Sequence, residues 1–259
     1  MTDSNSSNSV VLITGGTSGM GLATARLLLE SGAHVVVTGR DEARLDRTAE
    51  ELSAVSDRGG RLMTVRADSA DLGDLDRLTA RIRERHGRLD GVFANAGVRV
   101  FGRAGEVTER DFDLSVGVNL KGVFFTVQKA LPLLDAAGGG SVVLNASWTL
   151  HRGLAVAPVY AATKAAVHNL ARTLGSDLAG RGIRVNSISP GYVVTGMFHA
   201  ANPDEASHEA IRAPVPLGRL GRAEDVAETV AFLLSPRSSY ITAQEIALDT
   251  GLVTAVPSP

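Results

Sequence analysis

Tyr160 and Lys164 stand four residues apart in VYAATKAAVHNLARTL, a run with helical apolar spacing, so both side chains project from one face. A phenol beside an ammonium is a tunable proton donor and acceptor. The unperturbed phenol has a pKa of about 10. One positive charge at about 4 Å, at an effective dielectric near 20, is worth at most roughly 4 kcal/mol, or about 3 pKa units. That moves the group toward neutrality, where general acid/base catalysis is most effective. The chain has three lysines against 23 arginines, and three tyrosines, so a chance Tyr-x-x-x-Lys has odds of about one in thirty. Lysine suits this role, since a compact ammonium fits beneath a phenol and can donate to sugar hydroxyls, which a planar guanidinium fork does poorly.

A second constellation lies near the N-terminus. The apolar run VVLIT at 10–14 leads into TGGTSGMG, Thr14 to Gly21, and then into an apolar helix. Glycines fall at 15, 19 and 21, with Thr24 where the last glycine of G-x-G-x-x-G would be. A backbone without Cβ atoms can approach a pyrophosphate, and a helix starting near Gly21 offers free N–H groups and a positive dipole end. The bland alternative is a tight structural turn. After the second apolar run, Gly39 stands where an NAD site usually puts a ribose-binding carboxylate. Arg40 follows, able to grip a 2′-phosphate with two charge-assisted bonds, or else a solvated residue at a helix start beside Asp41. NADP(H) is favoured over NAD(H), which stays open.

These groups must be held by regular elements. Short β-branched runs recur at 10–14, 34–38, 61–65, 90–94, 141–145, 184–188 and 245–249, each apolar enough to be covered on both faces. Helical patterns at 21–31, 41–56, 71–86, 111–134, 160–179 and 225–234 alternate with them, and Gly32, Gly87 and Gly180 or Gly182 stand at the helix stops. The alternation predicts an α/β fold: one doubly wound Rossmann-type domain with a seven-stranded, mostly parallel sheet and helices on both faces. Residues 1–8 read as a disordered tail and 9–259 as the domain. Residues 192–222, rich in Gly, Pro, Ala and His, read as a partly helical substrate lid, because a loop of that length in a compact domain is usually functional.

A length of 259 residues with 44% hydrophobic content allows one large core. The net charge of -2 argues against a phosphate-backbone partner, and no apolar stretch approaches a bilayer-spanning length. The absence of cysteine removes disulfides, thiolate metal sites and cysteine nucleophiles. The six histidines show no metal-binding pattern, so no metal is expected. The polar N-terminus is unlike a signal peptide, and a cytoplasmic protein is expected.

Over residues 8 to 250 the chain resembles the short-chain dehydrogenase/reductase family. Its motifs fall in order: the turn at Thr14 to Gly21, Asp68 after the third strand, Asn95-Ala96-Gly97 after the fourth, Asn119 in VNLKG, Ser147 thirteen residues before Tyr160, Lys164, and Pro190-Gly191 followed by Thr195. The resemblance implies a hydride-transferring oxidoreductase acting on a ketone or secondary alcohol. Tyr160 would be the general acid/base, Ser147 would hold the substrate oxygen, Lys164 would hold the nicotinamide ribose, and Asn119 would position a water. It implies cofactor contacts from Thr14, Gly15, Thr17, Ser18, Gly19, Met20 and Gly21, then from Gly39, Arg40, Asp68, Ser69, Asn95, Ala96 and Gly97. At the nicotinamide end it adds Ile188, Pro190, Gly191, Val193 and Thr195 to Tyr160 and Lys164. It also implies a homotetramer built on 111–134, 160–179 and the C-terminal helix and strand.

Two positions depart from the family pattern: Ala94 precedes Asn95 where a second asparagine is frequent, and Trp148 follows Ser147 where a small residue is frequent. Trp148 either enters the active-site mouth with Val98, Phe101, His151, Leu154, Met197 and Phe198, or is core. The first reading suits an apolar or aromatic ketone. A non-catalytic dinucleotide-binding regulator on the same fold is the alternative from another class. Such proteins are expected to lose the serine, tyrosine or lysine, and all three are present here.

Overall fold

The β-branched runs become strands because both of their faces are covered by helices. In a computed structural model that describes residues 8–57, 60–202 and 204–255, β1 (Val10–Ile13) is followed by α1 (Gly19–Glu30), β2 (His34–Gly39), α2 (Glu42–Glu51) and β3 (Leu62–Arg66). Next come α3 (Leu72–His86), β4 (Gly91–Ala94), α4 (Glu109–Val116), a π-helical stretch (Gly117–Gly122) and α5 (Val123–Ala136). The remainder is β5 (Gly140–Asn145), α6 (Pro158–Asp177), β6 (Ile183–Pro190), α7 (Gly196–Ala201), α8 (Glu205–Arg212), α9 (Ala223–Leu234) and β7 (Glu245–Leu248). The expected N-terminal tail, apart from Asn8, and residues 256–259 lie outside the described residues.

The seven strands are ordered β3-β2-β1-β4-β5-β6-β7, and every pairing is parallel, so the expected "mostly parallel" sheet is wholly so. Alternate residues of a strand serve opposite faces. Leu12 packs with α3 and α5 through Leu75, Leu78 and Leu133, whereas Val11 and Ile13 pack with α1 and α9 through Leu29 and Val230. Ile13 pairs with both Val37 of β2 and Phe93 of β4, so the sheet changes winding direction between β1 and β4. A crevice opens beyond the carboxyl ends of the strands at such a switch point, where open α/β sheets bind ligands. The protein is a single Rossmann-type domain.

Element boundaries depart from the sequence reading where local bonds overrule periodicity. Helix α1 starts at Gly19 and not near Gly21, with Ser18 in extended conformation as its N-cap. Helix α2 ends at Glu51, five residues short of the expectation. The single helix expected over 111–134 is interrupted by the π-helical stretch, which widens the turn around Asn119. Such π turns concentrate at functional sites. Helix α3 ends as expected, at Gly87 in the left-handed conformation with φ 71°. Residues 192–222 hold two short helices, α7 and α8. No helix among the described residues is long and apolar enough to cross a membrane.

Candidate active site

The glycine turn after β1 is shaped by close backbone approach. Gly15 and Gly19 have φ of 64° and 52°, the left-handed region that favours glycine, and a Cβ on Gly15 would lie 2.9 Å from the Ala96 Cα. Gly21 has a different duty. Its Cβ would lie 2.5 Å from the Gly15 carbonyl oxygen and 2.7 Å from the Asn95 amide nitrogen, so it lets α1 close against the back of the turn and does not face the cleft. Thr14 is likewise buried behind the turn, and its hydroxyl accepts from the backbone N–H groups of Asn95 and Ala96, both at 3.1 Å. Asn95 returns two bonds, donating to the Thr14 and Gly15 carbonyls at 3.0 and 3.1 Å. Thr24 fits in the helix because its hydroxyl donates to the Met20 carbonyl at 2.7 Å.

Beyond the strand ends lies a cleft of about 890 Å³, within the range of small-molecule and cofactor sites. Of the expected cofactor residues, Gly15 and Thr17 to Met20 line it, as do Gly39, Arg40, Asp68, Ser69, Asn95, Ala96, Gly97, Tyr160, Lys164 and Thr195. Ile188, Pro190, Gly191 and Val193 do not. Ile188 is fully buried, Val193 is buried and pairs with Gly221, and a Cβ on Gly191 would lie 2.8 Å from the Asp249 Cα.

At the far end of the cleft Arg40 faces Asp68 at 4.0 Å, and Arg44, which sequence reasoning missed, joins it on the wall. Arg44 lies one turn into α2, and the helical pattern could have placed it beside Arg40. Asp41 also lines the cleft, but its carboxylate caps α2 by accepting from the Arg44 N–H at 3.0 Å. At Gly39 a Cβ would lie 2.7 Å from the Thr17 methyl carbon, so any side chain there would have to displace Thr17. Asn145, also missed, lines the cleft with a buried Oδ1 that has no partner among the described residues. A Cβ-free cradle, a helix N-terminus, two arginines and an unpaired acceptor fit a dinucleotide.

Helix α6 carries the proton-transfer pair. Lys164 is 3% exposed, and its Nζ lies 5.7 Å from the Tyr160 ring centroid and donates to the Asn145 carbonyl at 2.6 Å. Burial lowers its pKa to about 8. For Tyr160 burial raises the pKa, opposed by a hydrogen bond with the Ser147 hydroxyl and by the positive charge of Arg99. The phenol is thus held above its ordinary pKa and not brought toward neutrality as the Tyr160–Lys164 spacing suggested, because burial outweighs the lowering by Ser147 and then by Arg99. Ser147 accepts from the Thr149 N–H at 3.3 Å and its hydroxyl at 3.0 Å, which fixes it at the start of a short helical turn. Asn119, fully buried, accepts from the Val98 N–H at 2.8 Å and donates to the Val98 carbonyl at 2.9 Å and the Thr163 hydroxyl at 3.3 Å. Its amide therefore clamps the strand-end turn beside Lys164, and Gly97 leaves room between them: a Cβ there would lie 3.3 Å from Asn119 Oδ1 and 3.6 Å from Lys164 Nζ.

Only Val98 and Met197 of the expected substrate pocket line the cleft. Trp148 is turned inward, 9% exposed, with its ring 4.9 Å from that of Tyr192 and packed on Val215 and Leu252. Phe198 is buried against His208, and Phe101 is exposed beneath Arg99. His151 bonds to Glu245 at 2.6 Å, and Leu154 accepts the Ala157 N–H through its carbonyl, both away from the cleft wall.

The family model described as enoyl-(acyl carrier protein) reductase matches residues 15–253. An oxidoreductase of Sarocladium schorii is 39% identical over 241 residues, covering 93% of this chain and 94% of the relative. A 3-oxoacyl-(acyl-carrier-protein) reductase of Thermotoga maritima is 35% identical, covering 94% and 97%. Among solved structures, levodione reductase superposes with a TM-score of 0.92 at 33% identity, covering 96% of this chain and 99% of that one. An actinorhodin polyketide ketoreductase variant with NADPH gives 0.90 at 33% identity, covering 96% and 98%.

Proposed function

The chain belongs to the short-chain dehydrogenase/reductase family of oxidoreductases, and from that premise we propose that it interconverts a ketone and a secondary alcohol, with Tyr160 exchanging the proton and NADP(H) preferred. The observation that carries this reading is the meeting of Tyr160, Lys164 and the glycine turn in one cleft. A nicotinamide dinucleotide held there would supply or accept the hydride. Tyr160 donates its phenolic proton to the carbonyl oxygen, and Ser147, whose hydroxyl favours the phenolate, orients that oxygen. Lys164 and Asn145 face the cleft floor and are disposed to hold ribose hydroxyls. Residues 192–222 act as the substrate lid, with Met197 of α7 on the cleft wall.

A panel of ketones and alcohols, assayed with both nicotinamide cofactors by the reduced-nicotinamide absorbance, tests the activity. Failure to turn over any member would remove it. Cofactor choice has its own test: exchanging Arg40 and Arg44 together for alanine should lower kcat/KM with NADPH about 10- to 100-fold more than with NADH, since only NADPH carries the 2′-phosphate. An unchanged ratio of the two would exclude the assignment. The assembly we expect is a homotetramer, with the exposed Phe112 and Leu114 of α4 covered in it; a monomeric mass in sedimentation would contradict that.

A further inference from the structure

Arg99 lies two residues beyond Gly97 and, while not itself on the cleft wall, is next in sequence to Val98, which is. Its Nη2 donates to the Met197 carbonyl of α7 at 3.1 Å, and its guanidinium carbon lies 4.6 Å from the Phe101 ring centroid. The flanking residues Val98 and Met197 both line the cleft. Arg99 is close enough to Tyr160 and Tyr192 for its charge to favour their ionised forms. It is half-buried, and that burial works against its own charge.

Arg99 combines partial burial beside Tyr160 with the lack of a carboxylate partner. Arg26, Arg77, Arg181 and Arg219 each pair with an acidic side chain. Among the described residues no such partner is found for Arg99, whose titratable neighbours are two phenols that are neutral at neutral pH. A partly desolvated guanidinium is costly unless an anion and its hydrogen bonds compensate it. One of its five donors is taken by Met197. Arg152 adds a second positive charge beside Tyr192 while donating to the Leu252 carbonyl at 3.1 Å. Glu245 of β7 is committed to His151 and to the Ser189 hydroxyl. The mouth is therefore positive, and its planar fork matches a carboxylate.

We propose that Arg99 anchors an anionic group on the substrate, so that the carbonyl compound reduced at Tyr160 is a small oxo acid whose carboxylate lies a few bonds from the carbonyl. This rests on the carbonyl-reducing reading above. It also replaces the apolar ketone that the expected aromatic lining suggested, since Trp148 and Phe198 are buried away from the cleft.

The test compares 4-oxopentanoate and 5-oxohexanoate with their methyl esters. The acids should be preferred in kcat/KM by about 10- to 100-fold, the worth of a charge-assisted pair, and Arg99→Gln should collapse that preference while Arg99→Lys keeps part of it. A strut that merely ties the strand-end loop to α7 would affect acid and ester alike, so an acid-to-ester ratio unmoved by Arg99→Gln overturns the proposal. So does a wild type that prefers the esters. A second readout does not require turnover. Trp148, the sole tryptophan, packs at a tilt against Tyr192 and should report by fluorescence the binding of pentanoate over pentanamide in the presence of NADP+. Equal pentanoate affinity in wild type and Arg99→Gln refutes the anchor. Turnover of esters without acid preference defeats only this proposal, whereas no turnover in either series defeats the carbonyl-reducing reading and leaves the pentanoate titration to decide on Arg99.

Discussion

Tyr160→Phe is expected to lower kcat by about 10²- to 10⁴-fold, the usual contribution of a positioned general acid, while leaving the dissociation constant for NADPH within about twofold. The change removes one oxygen from a cleft wall supplied mainly by the glycine turn and the strand ends, so cofactor affinity has little reason to move. The pH dependence adds a sign. Burial holds the phenol above its ordinary pKa, so it is protonated at neutrality and ready to donate during carbonyl reduction. Reduction should therefore be flat at neutral pH and fall as the pH rises through that pKa, and alcohol oxidation, which needs the phenolate, should rise over the same interval. Ser147 stabilises the phenolate; Ser147→Ala should shift both limbs to higher pH as well as slow the reaction. Stopped-flow absorbance across the alkaline range measures all three effects. A Tyr160→Phe variant that retained wild-type kcat would exclude the phenol as proton donor.

The parts of the architecture that sequence made legible are those governed by a repeated local rule. Val10 to Ile13, His34 to Gly39 and Gly91 to Ala94 announce themselves as doubly covered strands by continuous β-branched or apolar character. The Tyr160–Lys164 spacing and the glycine turn are equally local, and both reach the cleft. What stayed hidden depends on contacts between distant segments. Gly21 looks like a cofactor glycine, yet its lack of a side chain serves the Asn95 amide some seventy residues away. The break at 117–122 follows from Asn119 reaching Val98 and Thr163. Trp148 had two readings, and the choice fell to Tyr192, Val215 and Leu252, which no periodicity connects to it. Arg99 sits in an irregular loop among 23 arginines, and its place beside the Met197 carbonyl and the two phenols is set only by the fold.

Lys164→Met should abolish most activity and also change how stability depends on pH. Burial moves the ammonium from an ordinary 10.5 to about 8 in the folded chain. Between those values the unfolded chain binds a proton that the native chain has released, so native stability rises with pH there. The cost of burying the lysine is fully present below about pH 8 and is relieved as the pH approaches the unfolded value. Methionine carries no such cost. The stability of wild type relative to Lys164→Met should therefore improve by about 2 kcal/mol from about pH 7 to about pH 9.5. The variant also leaves the Asn145 carbonyl without its 2.6 Å donor, but that loss is independent of pH and cancels in the difference. Denaturant titrations of both proteins at the two pH values, without added cofactor, read it directly. A difference that stays flat would mean that Lys164 does not titrate near 8 in the folded protein, and the same lysine could not then be credited with a charge poised to respond to the chemistry at Tyr160.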